Sequence, residues 1–448
     1  MASRISPGPN EGAAETRPAA GPAIELAALG AGLTLTVATL SRLPDWPHHL
    51  AAFQTLYVVA FGFFALAAVR LGRYLMAPGA ALLVAAVALA TRAALLPVPP
   101  SLSDDVYRYA WEGRVLAHGQ DPWRLSPSHP SLAPLRDSRV WPRVNHPDLA
   151  TIYPPAAEAG FALVAAVSSS IWAMKLWIAV HDLALVGVLM AWCARRAGGA
   201  AAALVYAWNP LVLIEYSGSA HHDPTALLPL GLAFLLAEER PALSGLALAW
   251  SALVKLAPLA ALPFLMRRWT ARGRIACVAL LTPGLALYWA LTRGSDSGLG
   301  AYWETWRNNA LLFDALERVT GRYATARALA LASIAIVAFA AWRAAWTPER
   351  SARNTLRAAT LLSPVLHPWY LGWTLLFEPL SPSAPWLLLS LTVVLNYGVF
   401  SAPSDRAGFH LPLAWRLIEY GAPLALAIAL LASRRAGRAR ARGGFGAG

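Results

Sequence analysis

Residues 50–69 read LAAFQTLYVVAFGFFALAAV, an unbroken stretch in which no residue is charged. A helix of about twenty apolar residues is long enough to cross the ~30 Å hydrocarbon core of a bilayer. Two flanking stretches, 23–42 and 77–96, have a similar length and a similar apolar character. The chain therefore begins with three predicted membrane spans.

The composition of the whole chain agrees with this interpretation. Of its 448 residues, 57% are hydrophobic and 14% are charged, and the mean hydropathy is +0.47. A soluble globular protein does not bury so large an apolar fraction, so we predict an all-α polytopic membrane protein. The net charge of +13 does not indicate nucleic-acid binding, because the arginines cluster at span ends, as the positive-inside rule expects. Cys193 and Cys277 lie in apolar runs and are interpreted as core residues.

The positions of the arginines orient the predicted spans. With the N-terminus inside, Arg70 and Arg73 are cytoplasmic and the polar stretch 97–170 is an outer loop. A second outer loop is predicted at 293–327, and the short apolar stretch 156–168 is interpreted as a re-entrant or juxtamembrane helix. The later predicted spans are 171–194, 199–216, 224–237, 242–266, 275–292, 328–346, 356–378, 385–400 and 413–433.

Three regions follow from this organisation. Residues 1–21, rich in Pro, Gly, Ala, Glu and Arg, are expected to be disordered and cytoplasmic. Residues 22–433 are expected to form one transmembrane catalytic domain of roughly 10–13 helices, whose outer loop carries a juxtamembrane helix. Residues 434–448 form an arginine-rich cytoplasmic tail that is expected to lie on anionic lipid headgroups.

Two of the predicted spans contain helix-breaking residues. Pro258 interrupts 242–266, close to the mid-apolar Lys255, and Pro368 interrupts 356–378. Each span is interpreted as a pair of half-length helices with the bend at the outer side. Backbone groups freed inside a bilayer must be satisfied by protein or by a water-filled cavity, so such breaks are expected to line a site.

The first outer loop begins with an acidic and aromatic segment, SDDVYRYAWEGR, at 103–114. A serine N-cap and a glycine stop predict a short helix over 104–118. Asp104, Arg108 and Glu112 are spaced one turn apart and would share a face. The tyrosines and the tryptophan are typical of a helix lying in the membrane interface. Acidic residues in a first turn also complement the helix dipole, so this helix alone does not establish a site.

Further ionisable residues lie within or beside the apolar spans, and the predicted topology brings them to the same outer boundary. These residues are His221, His222, Asp223, Lys255, His367, Arg416 and Glu419. An ionisable side chain at mid-bilayer costs at least ~2.5 kcal/mol on insertion scales, so each is a functional candidate. Structural alternatives stay open: His367 could be a core histidine, and Arg416 with Glu419 could form an i,i+3 pair.

Two more alternatives concern residues near the first helix break. Lys255 could snorkel or pair structurally with Glu215. The segment 221–223 could cap the following helix, with Pro224 at its first position.

The ordered set of motifs resembles the GT-C superfamily of polytopic glycosyltransferases, in particular the bacterial polyprenol-phosphate-mannose-dependent mannosyltransferases. The motifs that carry this resemblance are 104–114, 119–123, 145–147, 153–155, 209–210, 221–223, Lys255 with Pro258, 363–364, 367–370 and 416–420. Glu112 and Gln120-Asp121 depart from the relatives, which often have Asp and an Asn-containing turn there. The aspartates at 104 and 105 are adjacent rather than spaced as in metal-using relatives, so the spacing does not point to a metal and leaves metal dependence open.

The resemblance implies a membrane glycosyltransferase that moves a hexose, expected to be mannose, from a polyprenyl-phosphate-sugar donor to an acceptor hydroxyl. The acceptor would be a glycolipid or glycan, and the reaction would be an inverting single displacement at the outer face of the cell (inner) membrane. Asp104 or Asp105 would be the general base. No cofactor is assigned, although a divalent metal remains possible, and the expected partners include membrane lipids and no nucleic acid.

The residues expected to contact the donor phosphate or the substrate lie in the loop and at the helix breaks. They are Arg108, Tyr109, Glu112, His146, Tyr153, His222, Asp223, Lys255, His367, Trp369 and Tyr370.

Two other functions stay open. One is a transporter or flippase of a lipid-linked sugar, which would also contain broken helices and buried charges. The other is an enzyme of the same fold that uses arabinose, glucose or aminoarabinose. The two helix breaks lie in dissimilar sequence and the large polar loop lies at one face only, which favours an enzyme.

Overall fold

A computed structural model describes residues 21–293, 297–401 and 411–443 of the chain, with side chains to 436 in the last segment. Every regular element in these ranges is helical. The predicted disordered N-terminus lies outside the described residues apart from Gly21, which begins the first helix. Most side chains of the predicted basic tail also lie outside them, and the last helix continues past the predicted end at 433 to Gly443.

The helices are numbered in chain order. The first ten are α1 (Gly21–Leu40), α2 (Leu50–Val69), α3 (Leu71–Tyr74), α4 (Ala80–Leu95), α5 (Asp105–Ala117), α6 (Pro155–Val167), α7 (Ile171–Arg196), α8 (Leu204–Ala207), α9 (Pro210–Val212) and α10 (Pro224–Leu235). The others are α11 (Pro241–Val254), α12 (Leu262–Met266), α13 (Ala271–Thr292), α14 (Gly298–Thr305), α15 (Leu311–Thr320), α16 (Tyr323–Arg343), α17 (Pro348–Leu362), α18 (Gly372–Leu375), α19 (Ala384–Thr392) and α20 (Leu413–Gly443).

The fold class is confirmed: the chain is an all-α polytopic membrane protein. Among the described residues, seven helices are long and apolar enough to cross a membrane, namely α1, α2, α7, α13, α16, α19 with its 3₁₀ continuation to Ser401, and the first part of α20. Five shorter apolar helical segments accompany them, at Ala80–Leu95, Pro155–Val167, Pro224–Leu235, Pro241–Val254 and Ala257–Met266. The predicted number of spans therefore depends on these shorter segments.

The prediction of one continuous span over 199–216 is wrong. The chain there forms a 3₁₀ turn, the short helices α8 and α9, and a π-helical turn at Leu213–Gly218. The interruption comes at Asn209-Pro210, because proline has no N–H to donate and its ring crowds the preceding turn. The Asn209 side chain accepts a hydrogen bond from the Leu211 N–H at 3.0 Å and so begins a new helix. This segment is buried inside the protein.

Both predicted helix breaks are present. Helix α11 ends at Val254, Lys255 is extended (φ −148°, ψ 142°), and a 3₁₀ turn at Ala257–Ala261 leads into α12. Helix α17 begins at Pro348, earlier than the predicted 356, and ends before Ser363. His367 is extended and a 3₁₀ turn follows it at Pro368–Leu371.

Helix α5, which carries the paired aspartates, lies against α6 at very short range. A Cβ atom on Gly113 would lie 2.3 Å from the Phe161 carbonyl oxygen. Only glycine permits so close an approach of the two backbones. This close contact holds α5 against α6.

Candidate functional site

Local sequence determines where α5 begins and ends. Asp104 occupies the N-cap position, and the Ser103 hydroxyl accepts a hydrogen bond from the Asp105 N–H at 3.2 Å. The expected cap is thus shifted by one residue, and Asp105 is the first helical residue. Gly119 has φ +72°, a left-handed conformation that ends helices. The structure confirms a short helix with its two aspartates at the N-terminus.

The expectation that the aromatic residues of α5 face the membrane interface is wrong. Tyr107, Tyr109 and Trp111 are only 5%, 1% and 0% exposed, and every residue in 106–115 is buried. The loop that follows α5 and helix α6 cover the helix on both sides. Its aromatic residues therefore pack inside the protein instead of facing lipid headgroups.

Arg108 and Glu112 share a face of α5, as predicted, and form a buried ion pair. The Arg108 guanidinium also donates to the carbonyl oxygens of Asn145 (2.9 Å), His146 (2.8 Å) and Leu149 (2.6 Å). Four of its five N–H groups are engaged within the described structure. Arg108 thus holds the polar loop against α5, and the expected contact of Arg108 and Glu112 with a donor phosphate has no support in this geometry.

The two aspartates have different surroundings. The Asp104 carboxylate accepts a hydrogen bond from the Arg143 guanidinium at 2.6 Å, and its side chain is 45% exposed. The Asp105 carboxylate points inward, accepts a hydrogen bond from the Asn145 amide at 2.8 Å and is 25% exposed. Asp105 is therefore the carboxylate that faces the interior residues.

The electrostatics of Asp105 differ from expectation. A helix N-terminus favours the ionised form of a nearby carboxylate. Instead, burial raises the pKa of the Asp105 carboxyl above its usual value, and the negative charge of Asp223 acts in the same direction. The Asn145 hydrogen bond and the positive charges of Lys255 and His146 oppose this rise in pKa. The charges at 223 and 255 thus lie close enough to act on Asp105.

Asp223 and Lys255 form the charged pair opposite α5. The Lys255 ammonium lies 2.7 Å from Asp223 Oδ2, and the Trp373 indole N–H donates to Asp223 Oδ1 at 2.8 Å. The alternative in which Lys255 pairs with Glu215 is therefore wrong. Asp223 does occupy the N-cap position before Pro224, but its side chain makes no capping hydrogen bond. The carboxylate instead forms an ion pair with Lys255, whose side chain is 20% exposed.

Glu215 and His221 lie behind Asp105. Glu215 is part of the π-helical turn, and one of its carboxylate oxygens lies 2.9 Å from His221 Nδ1. His221 Nε2 lies 3.8 Å from Asp105 Oδ2. Single π-helical turns occur frequently at functional sites. Glu215 was predicted only as an alternative partner for Lys255, although an acidic residue inside an apolar stretch could have identified it as a site candidate.

The second helix break contributes an aromatic platform. The Trp369 indole stacks on the His221 ring, with centroids 3.6 Å apart, and on the His367 ring, with centroids 4.3 Å apart. The Asn308 amide lies 2.8 Å from His367 Nδ1. Because an amide N–H donates there, we assign the His367 proton to Nε2. The break at 363–367 and the 221–223 segment thus meet at Trp369.

The second loop also contacts this site. The hydroxyl groups of Tyr302 and Tyr370 lie 2.9 Å apart, and Lys255 lies 5.7 Å from the Tyr370 ring centroid. Trp306 packs edge-to-face on the His146 ring at 4.5 Å. The predicted residues at 146 and 370 are therefore brought together with residues of α14 and the segment after it.

His222 occupies an aromatic enclosure. Its ring makes edge-to-face contacts with Tyr109 (4.9 Å), Tyr153 (5.1 Å) and Phe161 (5.2 Å), and it is fully buried. Its Nδ1 lies 3.4 Å from the Thr225 hydroxyl. His222 is thus enclosed beside the site rather than exposed towards it.

The predicted pair between Arg416 and Glu419 is wrong. Arg416 instead binds Asp314 at 2.5 Å, and the Asn309 amide donates to Glu419 at 2.8 Å. Both residues of α20 reach across to the loop and helix α15. Their spacing along one helix did not reveal that a neighbouring element supplies the partners.

Three buried charged residues inside the predicted spans were not among the predicted site residues: Arg92, Lys175 and Asp182. The Arg92 guanidinium donates to Asp182 at 2.8 Å, and the Tyr206 hydroxyl donates to the other oxygen of Asp182 at 2.8 Å. The Lys175 ammonium donates to the carbonyl oxygens of Val98 and Gly218, at 2.5 and 2.8 Å. The same rule that singled out the site histidines, an ionisable residue in an apolar stretch, would have identified all three charges.

The chemical capacity of the site follows from these contacts. The Asp105 carboxylate and the Lys255 ammonium are both partly exposed, and the charge of Lys255 lowers the pKa that burial raises at Asp105, so the site offers a proton acceptor and a cation. Within residues 21–293, 297–401 and 411–443, no group of three or more His, Cys, Asp or Glu residues is arranged to hold a metal ion. The expectation about metal dependence stays a prediction.

A comparison with known proteins identifies the family. A family model described as alpha-(1->6)-mannopyranosyltransferase, N-terminal domain (the MptA/B family), matches residues 19–271. The matched residues include α5, the 221–223 segment and Lys255, whereas the break at 363–367 lies beyond them. No curated protein and no solved structure matched the chain. Because the match covers more than half of its length, the chain belongs to the alpha-(1->6)-mannopyranosyltransferase family, a family of membrane mannosyltransferases.

Proposed function

We propose that this protein transfers mannose from a polyprenyl-phosphate-linked donor to an acceptor hydroxyl, with Asp105 as the general base. The observation that carries the proposal is the partly exposed Asp105 carboxylate, on which the charges of the Lys255–Asp223 pair act, together with the partly exposed Lys255 ammonium. Glycosyl transfer from a phosphate needs both groups. One takes the proton of the attacking hydroxyl and the other stabilises the departing phosphate.

Asp105 is a better candidate for the base than Asp104. A general base must have a free lone pair within reach of the attacking hydroxyl. The Arg143 guanidinium binds Asp104 at 2.6 Å, whereas Asp105 Oδ2 accepts one long hydrogen bond from the Tyr109 hydroxyl at 3.4 Å and lies 3.8 Å from His221 Nε2. Deprotonation of the acceptor by Asp105 increases the nucleophilicity of its oxygen as it attacks the anomeric carbon.

The leaving phosphate would be bound by Lys255 and His367. Lys255 is exposed enough to accept a second anionic partner besides Asp223. His367, with its proton on Nε2, can donate a hydrogen bond to a phosphate oxygen. A direct displacement of this kind inverts the anomeric configuration, so a β-linked donor would give an α-linked product.

The family description further supports an acceptor hydroxyl at C6 of a mannose residue, in a glycan or glycolipid. We place the site on the outer side of the cell membrane, because the arginine pattern puts 97–170 there. An impermeant maleimide should then label Ser138→Cys in intact cells. Arg272→Cys, on the predicted cytoplasmic side, should react only after permeabilisation. The reverse pattern would overturn the proposed sidedness.

The transfer reaction itself can be tested with the purified protein in nanodiscs. Radiolabelled polyprenyl-phosphate-mannose and an α-linked oligomannoside are supplied, and linkage analysis of the labelled product identifies the bond formed. Parallel reactions with EDTA or with added divalent cations test for metal dependence.

The matched variants Asp105→Asn and Asp104→Asn decide which carboxylate is the base. We expect the first to lose about 10²–10⁴-fold in rate and the second far less. Equal losses in both variants, with both proteins folded, would contradict the assignment of Asp105. If wild-type protein transfers no mannose but binds the donor, the proposed reaction is wrong and transport of the lipid-linked sugar becomes the next hypothesis.

A further inference from the structure

A buried chain of polar side chains joins α6 to α5 and to the loop that carries Asn145. Glu158 of α6 is 0% exposed, and its Oε1 atom lies 2.7 Å from the Thr151 hydroxyl oxygen. The same hydroxyl oxygen lies 3.0 Å from Glu112 Oε2. Thr151 is itself buried, so a single hydroxyl group lies between two buried carboxyl groups.

The two carboxyl contacts of the Thr151 hydroxyl require an additional proton. A hydroxyl group has one proton to donate and two lone pairs with which to accept. Thr151 can therefore donate to one carboxyl group, and the contact with the other needs a proton that this second carboxyl group supplies. One lone pair of the Thr151 hydroxyl accepts a hydrogen bond from the Tyr153 N–H at 3.1 Å. The second lone pair is left to accept from a carboxyl O–H.

The surroundings of the two carboxyl groups assign this proton to Glu158. Arg108 forms an ion pair with Glu112, which favours the ionised form of Glu112. No ion pair in the described parts of the chain includes Glu158, and its Oε2 atom has no hydrogen-bond partner there. Helix α11, which packs on α6, contains no ionisable side chain, and the Tyr288 hydroxyl of α13 donates to the Ile152 carbonyl oxygen instead. A buried carboxylate without a cation is costly, so Glu158 is neutral.

This assignment satisfies the whole chain. The Glu158 O–H donates to the Thr151 hydroxyl, and the Thr151 O–H donates to Glu112 Oε2. The Arg108 guanidinium donates to Glu112 Oε1. Each oxygen of the Glu112 carboxylate therefore accepts one hydrogen bond, and the two carboxyl groups do not repel each other.

Arg108 connects this chain to the proposed base. Its guanidinium donates to the Asn145 backbone carbonyl oxygen at 2.9 Å, and the Asn145 side-chain amide donates to Asp105 Oδ1 at 2.8 Å. The residue that hydrogen-bonds the base is thus held in place by a guanidinium whose own position depends on Glu112.

We propose that Glu158 is a positioning residue, a neutral hydrogen-bond donor that holds Thr151 and Glu112 and, through Arg108, places Asn145 against Asp105. This inference rests on the proposed function for the role of Asp105. The Glu158 proton stays in place during turnover, so no bond is made or broken. An ionised Glu158 would instead repel Glu112 and leave Thr151 with two acceptors and one proton.

The proton on Glu158 can be tested without any transfer reaction. A protonated carboxyl group and a carboxylate absorb at different infrared frequencies. The difference spectrum between wild type and Glu158→Gln, with the full chain in nanodiscs at neutral pH, therefore shows which form the substitution removes. We expect the loss of a protonated-carboxyl band. Loss of a carboxylate band would overturn the proposal.

The positioning role is tested by the pH dependence of kcat/KM for mannose transfer from polyprenyl-phosphate-mannose to the oligomannoside. Glu158→Ala removes a neutral hydrogen bond from the chain and loosens Asn145, so the acid limb of the profile should move upward by roughly 0.5–1 pH unit. Glu158→Gln keeps an uncharged donor of nearly the same size. Its acid limb should stay in place, with a rate within about 3-fold of wild type.

A double variant separates positioning from a general loss of packing. Because Glu158 is proposed to act through Asn145, Glu158→Ala should add no further shift of the acid limb when Asn145→Ala is already present. Val164→Ala is the matched control, since Val164 is a buried residue of the same helix outside the polar chain. It should lower the unfolding temperature and leave the acid limb in place.

Three kinetic results would also overturn the proposal: an acid limb that does not move in Glu158→Ala, a Gln variant that behaves like the Ala variant, or shifts that add in the double variant. If Glu158→Ala does not fold, Thr151→Val compared with Thr151→Ser decides by the same shift. A wild-type protein that transfers no mannose refutes the proposed function instead, and the infrared measurement still tests the proton on Glu158.

Discussion

The hydrogen bond from the Asn145 amide to Asp105 Oδ1, 2.8 Å long, gives a direct test of the proposed base. This bond stabilises the ionised carboxylate and lowers its pKa, in opposition to burial. The change Asn145→Ala removes the amide and keeps the backbone carbonyl oxygen that Arg108 binds. The pKa of Asp105 should then rise further. Because the base acts only when ionised, the acid limb of the rate profile should move to higher pH.

The size of the shift follows from the strength of the lost bond. A hydrogen bond to a charged group contributes about 1.5–3 kcal/mol, and one pKa unit corresponds to about 1.36 kcal/mol. The acid limb should therefore move upward by roughly 1–2 pH units. Below that limb the variant should be slower than wild type by about 10- to 100-fold, and on the alkaline plateau the two rates should approach each other.

The measurement is kcat/KM for mannose transfer against pH, which reports the ionisation of the free enzyme. The matched control is Arg143→Gln, which removes the partner of Asp104 and should leave the acid limb of the profile in place. A profile that falls uniformly without moving would refute a role for the Asn145 bond in ionisation. A shift in the Arg143 variant alone would identify Asp104 as the base.

Three further predictions concern other parts of the protein. Replacement of Lys255 by Met should lower kcat/KM by about 10²–10³-fold through lost stabilisation of the leaving phosphate, and Arg at this position should recover part of the rate in the same assay. Arg92→Met leaves the buried Asp182 carboxylate without its cation, so thermal unfolding in detergent should show a loss of about 3–5 kcal/mol, reduced when Asp182 is also made apolar. Gly113→Ala places a Cβ 2.3 Å from the Phe161 carbonyl oxygen, so both the unfolding temperature and the transfer rate should fall. An unaltered unfolding temperature in either the Arg92 or the Gly113 variant would contradict the packing described for it.

The membrane class, the two helix breaks and the gathering of Asp105, Asp223 and Lys255 could be predicted from the sequence. An ionisable residue or a proline inside twenty apolar residues is energetically costly in a membrane. Its presence therefore indicates a structural or functional role. The average hydropathy of a segment does not show where its helix is interrupted. The apolar stretch 199–216 was therefore predicted as one span, although Asn209-Pro210 divides it into short helical turns.

Side-chain roles were harder to predict where the partner comes from a distant element. The spacing of Arg108 and Glu112 correctly predicted a shared face, but the carbonyl oxygens that occupy Arg108 lie about 40 residues away in an irregular loop. The prediction for Arg416 and Glu419 failed for the same reason. Their spacing favoured a mutual pair, whereas a separate loop and helix supply both partners.

The contacts of Trp369 and Trp373 have a consequence for how this enzyme can change over evolution. Both tryptophans lie outside residues 19–271, yet one stacks on His221 and the other binds the carboxylate of Asp223. The proposed catalytic site therefore combines residues of the segment matched by the family model with residues of the segment that follows it. Substitutions at His221 or Asp223 should show strong epistasis with substitutions at the two tryptophans. Chimeras that join the first segment of one family member to the second segment of another should be active only when these four positions are exchanged together.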